Sequence, residues 1–573
     1  MYPVAVQKAF SYKFFGLLNS VITAYILCKK CEQRYSIVQN VINRGCTMNT
    51  AVTEKINHAR QHTIGDILRR SAARDPNKIA ICCGDIEWTY SEFDNICNQL
   101  GHGLLEKGIR IGDRVAILSR NSHSFAAFRF ALARLGAVLV PINFMLNATE
   151  INFILKSSGS KILAMGPEFM EVASDAIALG TDVNLTIALP GENMPASKDA
   201  DDDFNSLISK NNTPIVAGLE DSLLAQIVYT SGTESLPKGA MLTHGAILWQ
   251  YMSCIIDGEM AKTDVMLHAL PLYHCAQLDV FLGPAIYLGM TNIITGQASP
   301  DNILSLLEKH QITSFFAPPS VWIALLRSPL FDKTNFQKLT KGYYGASIMP
   351  VEILKEMQDR LPQVALWNLY GQTEIAPLAT VLKPEDQFRK AGSAGIATLN
   401  VETRVVDDQM LDVKLGQVGE IVHRSPQLLS GYYNDPDRTK IAFEGGWFHS
   451  GDLATIDEEG HITVVDRKKD MINTGGENVA SREVEECIYL LPEISEVAVI
   501  GLPHPRWIET VTAVIVLKDG TEKTEASIID HCKVHLASFK APTKVIFQKN
   551  LPKNPSGKLL KRELREQHAT EAS

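Results

Sequence analysis

Beyond residue 62 this chain of 573 residues alternates apolar runs of two kinds, and that alternation limits its fold more than any other feature. Thr63 to Ala73 carries apolar residues at helical spacing, and Val115-Ala116-Ile117-Leu118 is a short unbroken apolar run. Phe125 to Gly136 returns to the helical pattern and closes on glycine, and Ala137-Val138-Leu139-Val140 is unbroken again. Unbroken runs of this length suit strands covered on both faces, and the intervening helices supply the cover. The expected class is therefore α/β, with helix-covered, mainly parallel sheets. Residues 197–222, with Asp199 and Asp201-Asp202-Asp203, read as a solvated loop.

The length exceeds what one hydrophobic core supports, so at least two domains are expected. Toward the C-terminus the texture changes: Val497–Ile500 and Val511–Val516 read as strands, Ala526 to Leu536 as a helix, and a lysine-rich end follows. This predicts a compact α+β domain over 467–573, joined to a large domain over 48–466 by an exposed charged connector at Asp466-Arg467-Lys468-Lys469. Residues 1–47 stand apart. The apolar stretch Phe14 to Cys28 is shorter than the roughly 20 residues that a membrane span needs, and no small-residue cleavage site follows it cleanly. The expectation is that Met48 starts the working protein and that 1–47 is a dispensable extension, with a signal anchor as the alternative.

With 45% hydrophobic and 21% charged residues the composition is that of a globular protein. A formal net charge of −9 supplies no global attraction to nucleic acid or anionic membrane, so neither is an expected partner beyond peripheral membrane association. The 10 cysteines lack the rhythm of a disulfide framework, which points to a reducing, cytoplasmic setting, and Cys28-Lys29-Lys30-Cys31 has no second pair to make a metal site.

The run Tyr229-Thr230-Ser231-Gly232-Thr233-Glu234-Ser235-Leu236-Pro237-Lys238-Gly239 gathers hydroxyls, two glycines and one lysine between apolar segments. Free backbone N–H groups, hydroxyl donors and a cation are what phosphate oxygens require. It is not a Walker A loop, because Pro237-Lys238-Gly239 stands where Gly-Lys-Ser/Thr would have to be. Further along come Tyr344-Gly345-Ala346-Ser347, Asn368-Leu369-Tyr370-Gly371-Gln372-Thr373-Glu374, Trp447 to Asp452, Asp466 to Asn478 and Pro552 to Lys558.

In that order these motifs resemble those of the adenylate-forming ligases: acyl-CoA synthetases, firefly luciferase and peptide-synthetase adenylation domains. The similarity extends upstream through Thr89-Tyr90-Ser91, Gly112-Asp113-Arg114-Val115 and Pro141-Ile142-Asn143. The chain is most similar to a bacterial-type fatty acyl-CoA ligase. The resemblance implies a small β-barrel-like region in the large domain and a mobile C-terminal lid. It also implies ATP, Mg²⁺ and CoA as reaction partners, and a carboxylic acid that becomes an acyl-AMP and then a thioester. A monomer or homodimer is expected.

The electrostatic problem of that chemistry is an anion approaching a polyanion. Two unit charges 4 Å apart at an effective dielectric near 20 interact by about 4 kcal/mol, so cations must stand where the anions meet. The resemblance gives this task to Lys558, and it makes Glu374 the magnesium carboxylate and Thr373 a donor to the α-phosphate. Thr230, Ser231, Gly232, Thr233 and Lys238 would cradle phosphates. Gly345, Ala346, Ser347, Tyr370, Gly371 and Gln372 would wall the adenine site, with Asp452 and Arg467 on the ribose. Lys469 would be the hinge of the lid, and Gly475-Gly476 would leave room for the pantetheine arm. Glu234-Ser235 departs from the usual Thr-Gly, which places a carboxylate beside the triphosphate.

Pro271 to Leu278 resembles the family's acyl-pocket segment, which gives acyl specificity to Tyr273 and His274, with Tyr344 expected to narrow the pocket. The following Val280 to Met290 is mostly apolar and offers no fixed cation for a second carboxylate, which favours a medium- to long-chain fatty acid. The alternatives are an aryl-acid:CoA ligase and an acyl-AMP ligase loading a carrier protein.

Overall fold

The computed structural model describes residues 50–215, 217–230, 237–347, 349–468, 470–474, 477–504, 507–553 and 559–569. The extension 1–47, with its Phe14–Cys28 stretch and its Cys28/Cys31 pair, lies outside them. Of the chain up to Gln61 the described part is the helix Thr50–Arg60. No helix among the described residues is long and apolar enough to cross a membrane.

From His62 onward the alternation becomes two large sheets. The eight-stranded one is parallel through its centre, with Arg114–Leu118 between Val138–Pro141 and Ile162–Met165. At one side Leu224–Thr230 and Lys238–Thr243 form an antiparallel pair. The nine-stranded sheet has a parallel centre of Val265–His268, Ser314–Phe316, Lys341–Gly345 and Ala365–Gly371, with antiparallel strands at both edges.

Local chemistry sets the helices. Asp66 accepts from both the backbone N–H and the hydroxyl of Thr63, which starts Ile64–Arg74. Ser122 Oγ accepts the Phe125 N–H at 3.2 Å, and Gly136 closes His123–Leu135 at φ 68°, a left-handed turn that glycine adopts without strain. This helix is buried on every side, so its two arginines need partners. Arg129 finds Asp279 at 2.9 Å, and Arg134 finds Asp94 and Asn98.

Two smaller units complete the large domain and the C-terminal one. Glu402–Val406, Gly419–Arg424, Phe448–Ile456 and Ile462–Arg467 make a four-stranded antiparallel sheet, the small all-β region of the large domain. The C-terminal sheet is centred on the hairpin Ile494–His504 and Ile508–Leu517, which Lys544–Phe547 joins in parallel. The helices Ser481–Tyr489 and Glu525–His535 pack with it around Val484, Ile488, Val499, Ile515 and Ile528.

Two expectations need correction. Asp466 and Arg467 do not form an exposed connector: both belong to the strand Ile462–Arg467, and Asp466 Oδ2 accepts the Ser481 N–H at 2.8 Å and its hydroxyl at 2.6 Å. The acidic run at 201–203 is not simply solvated either. Asp202–Asp203 adds a short parallel strand to the eight-stranded sheet, and Phe204 and Leu207 just after it are buried. Paired charges and local hydrogen bonds let both polar segments sit against the fold.

Candidate active site

Open α/β sheets place ligands beyond the carboxyl ends of their parallel strands, where chain and helices diverge. Here Lys341–Gly345 and Ala365–Gly371 are parallel neighbours, and Gly345 pairs in register with Leu369. Their carboxyl ends deliver Gly345-Ala346-Ser347 and Tyr370-Gly371-Gln372 side by side. Ala346 and Ser347 are exposed there, with Ala346 in the left-handed region at φ 64°. The two glycines are required by close approach. A Cβ on Gly345 would stand 2.3 Å from the Leu369 oxygen, and one on Gly371 1.8 Å from the Pro377 oxygen.

Thr373–Ile375 follows as a single tight turn that buries Thr373 and Glu374. Glu374 Oε1 lies 3.0 Å from Lys238 Nζ and accepts from the Tyr432 hydroxyl at 2.9 Å. Lys238 in turn donates to the Tyr432 oxygen at 2.7 Å and stands 4.3 Å from the centre of its ring. Burial and the Glu374 charge push the Tyr432 phenol well above its ordinary range, so it stays a donor. Tyr432 reaches this place because Gly431–Tyr432 pairs antiparallel with Lys238–Thr243, Tyr432 opposite Ala240. Sequence reading missed it: it lies 194 residues from its partner lysine, and no local pattern marks it.

The adenine and ribose candidates also converge. The Tyr370 hydroxyl donates to Asp452 Oδ2 at 2.7 Å, and Arg467 Nε stands 3.4 Å from Asp452 Oδ1. Antiparallel pairing of Phe448–Ile456 with Ile462–Arg467 sets Asp452 directly opposite Arg467. Burial first, then the Asp452 charge, raises the Tyr370 phenol well above its usual value. Two buried polar atoms, Thr230 Oγ1 and Gln372 Nε2, have no partner among the described residues.

The segment after Val265–His268 leaves the same sheet from a strand that Ser314–Phe316 separates from Lys341–Gly345. Tyr273 is buried with Phe144 edge-on at 5.2 Å, and His274 Nδ1 accepts the Ala276 N–H at 3.1 Å. Cys275, unmarked in the sequence reading, ties this segment to the Thr373 turn, its sulfur 3.3 Å from Thr373 Oγ1. Ala276–Leu282 then winds as a π-helix, a form met most often at functional sites. Within it Asp279 is held by Arg129, by Gln226 at 2.6 Å and by Tyr251 at 3.1 Å, so that buried arginine is already matched. Strand alternation brings Tyr343, not Tyr344, against Phe281 of the π-helix, with ring centres 5.3 Å apart. Tyr344 points into the other core and donates to Gln387 Oε1 at 2.7 Å.

Ser231, Gly232, Thr233, Glu234 and Ser235 of the expected phosphate loop, the expected hinge Lys469, Gly475 and Gly476, and Lys558 lie outside the described residues. The described flanks carry charge on both sides of the last three motifs. Arg565 contacts Asp470 at 2.9 Å, and Lys561 reaches Glu485 at 2.8 Å and Ser481 Oγ at 2.6 Å.

Residues 68–433 match the AMP-binding enzyme family, and residues 483–558 match the AMP-binding enzyme C-terminal domain. The chain belongs to the AMP-binding enzymes. A feruloyl-CoA synthase from Amycolatopsis is 35% identical over 88% of this AMP-binding enzyme and 99% of its own length. The long-chain-fatty-acid–CoA ligase FadD13 of Mycobacterium tuberculosis is 36% identical over 88% and 98%. Among solved structures, anthranilate CoA ligase AuaEII in complex with anthranoyl-AMP superposes with a TM-score of 0.83 at 25% identity, covering 89% of this chain and 98% of that one. The helix-covered sheets and the small C-terminal domain are thus the architecture of adenylate-forming enzymes.

Proposed function

We propose that this AMP-forming acid–CoA ligase takes a medium- to long-chain fatty acid, joins it to AMP with release of pyrophosphate, and passes the acyl group to the CoA thiol. The observation that carries the reading is the convergence of Thr373, Glu374, Lys238, Tyr370 and Asp452 beyond the carboxyl ends of two adjacent parallel strands. In the first half-reaction a carboxylate oxygen attacks the α-phosphorus, and the bond to pyrophosphate breaks. Thr373 donates to the α-phosphate, Asp452 accepts from the ribose hydroxyls with Arg467 beside it, and Tyr370 lies against the base. Lys558 neutralises the meeting of carboxylate and phosphate.

Glu374 fits a magnesium site of the one-carboxylate kind. Its Oε1 is taken by Lys238 and Tyr432, whereas Oε2 takes no hydrogen bond among the described residues. There the ion would offset phosphate charge. In the second half-reaction the lid turns about Lys469, Lys558 withdraws, and Gly475-Gly476 admits the thiol. The sulfur then bonds to the acyl carbon and AMP leaves.

A fatty substrate is supported by the character of the acyl segment. Val280, Phe281 and Ala285 are buried and apolar on the side of Tyr343, and the buried Arg129 is matched by Asp279. Tyr343 is the tyrosine placed to shape this segment from the sheet side. An aromatic acid is the second reading. It is favoured by the edge-on Phe144–Tyr273 pair, which suits a flat ring, and by the feruloyl-CoA synthase and indoleacetate–CoA ligase among the relatives.

Pyrophosphate release measured with and without CoA across fatty, branched and aromatic acids separates these readings. Preference for saturated chains supports the first. Preference for cinnamate-like acids replaces it with the second, and no acid-dependent release overturns both.

A further inference from the structure

The C-terminal domain carries a cluster that the ligase chemistry does not use. Cys487 lies near the end of the helix Ser481–Tyr489, and His531 and His535 stand one turn apart on the helix Glu525–His535 that packs beside it. The Cys487 sulfur and one nitrogen from each ring lie within 4.8 Å of one another. The two rings face each other with centres 4.3 Å apart. Among the described residues this is the one group of three or more such side chains placed to share an ion.

The hydrogen bonds of the two rings decide which nitrogen of each would ligate. His531 Nε2 lies 2.9 Å from the Cys487 carbonyl oxygen, and His535 Nδ1 lies 2.9 Å from the His531 carbonyl oxygen. A carbonyl oxygen can only accept, so each of these ring nitrogens carries the proton. The other nitrogen of each neutral ring, Nδ1 of His531 and Nε2 of His535, therefore holds a lone pair. Fixing a ring by a hydrogen bond from its second nitrogen to a carbonyl is how proteins orient metal-binding histidines.

We propose that Cys487, His531 and His535 bind one zinc ion, with water as fourth ligand, as a brace between the two helices of the C-terminal domain. Two imidazoles and a thiol suit a borderline-soft ion and exclude magnesium or calcium, which take oxygen. Tetrahedral zinc holds such donors about 3.3–3.6 Å apart, so the three side chains draw together on binding. When the zinc–sulfur bond forms the S–H bond breaks, and the proton passes to solvent.

The test uses the full-length, untagged protein stripped with a chelator and titrated with Co²⁺. The expected result is one equivalent bound, with a thiolate-to-cobalt charge-transfer band that one equivalent of Zn²⁺ abolishes. Cys487→Ser should lose the band, and His535→Ala should weaken binding at least tenfold. His535 is exposed, so that variant keeps its fold, and circular dichroism checks it. Zn²⁺ should also raise the melting temperature of the parent protein, and at the same concentration raise that of His535→Ala less. Absence of the band, its survival in Cys487→Ser, or equal Zn²⁺ stabilisation of His535→Ala overturns the site.

Discussion

Glu374, Lys238 and Tyr432 form a closed triangle in which a buried carboxylate, a cation and a phenol satisfy one another. The phenol is the part that only the fold supplies. A hydrogen bond to a charged group contributes about 1.5–3 kcal/mol, so Tyr432→Phe should cut kcat/KM for ATP in pyrophosphate release by roughly tenfold or more. An unchanged value would mean that Lys238 alone holds Glu374. Lys558→Ala belongs to the same scale. It should abolish pyrophosphate release from acid and ATP yet preserve thioester formation from supplied acyl-AMP, and equal loss of both would count against its role.

Strand ends and the linkers between domains set the next level. The proposed adenine wall depends on two parallel strands that approach as closely as glycine allows. Because a Cβ at 345 meets backbone and not a flexible side chain, Gly345→Ala must push Lys341–Gly345 away from Ala365–Gly371. Overpacking of this kind costs about 1–3 kcal/mol. A lower melting temperature together with a raised KM for ATP is expected, and loss of neither would show that the strands give way freely. At the proposed hinge, Lys469→Pro fixes one backbone dihedral. It should spare pyrophosphate release and slow thioester formation, as two-step product analysis would reveal. Slowing of both steps alike would remove the hinge from Lys469.

Across the whole molecule, folding buries histidines in their neutral form. Desolvation lowers His123 and His268 to about 4 and His244 and His423 to about 3, from an ordinary value of 6.5. The unfolded chain therefore binds protons that the folded one refuses. The stabilisation is complete above pH 6.5 and is lost as pH falls from there toward the folded values, each group costing about 1.4 kcal/mol per pH unit. The melting temperature should hold level from pH 8 to 7 and fall steeply between 6 and 4. A flat profile through that window would show that these rings become charged without cost.

What the amino-acid order determined by itself was local and periodic. The helix beginning at Thr63, the glycine stop at 136, the short parallel strands and the C-terminal hairpin all follow from spacing and capping that neighbouring residues supply. The clustering of Gly345, Tyr370, Gly371 and Glu374 at strand ends follows the same local logic, since turns beyond strands need glycine where the backbone approaches closely. Only the tertiary structure decided which distant groups meet. It brought Tyr432 to Lys238, Cys275 to Thr373 and Asp279 to Arg129, set Tyr343 instead of Tyr344 on the side of Phe281, and tied the charges of Asp466 and Arg467 into a strand. Partner choice across long separations depends on sheet order and register. A side chain's own neighbours in sequence carry no record of either.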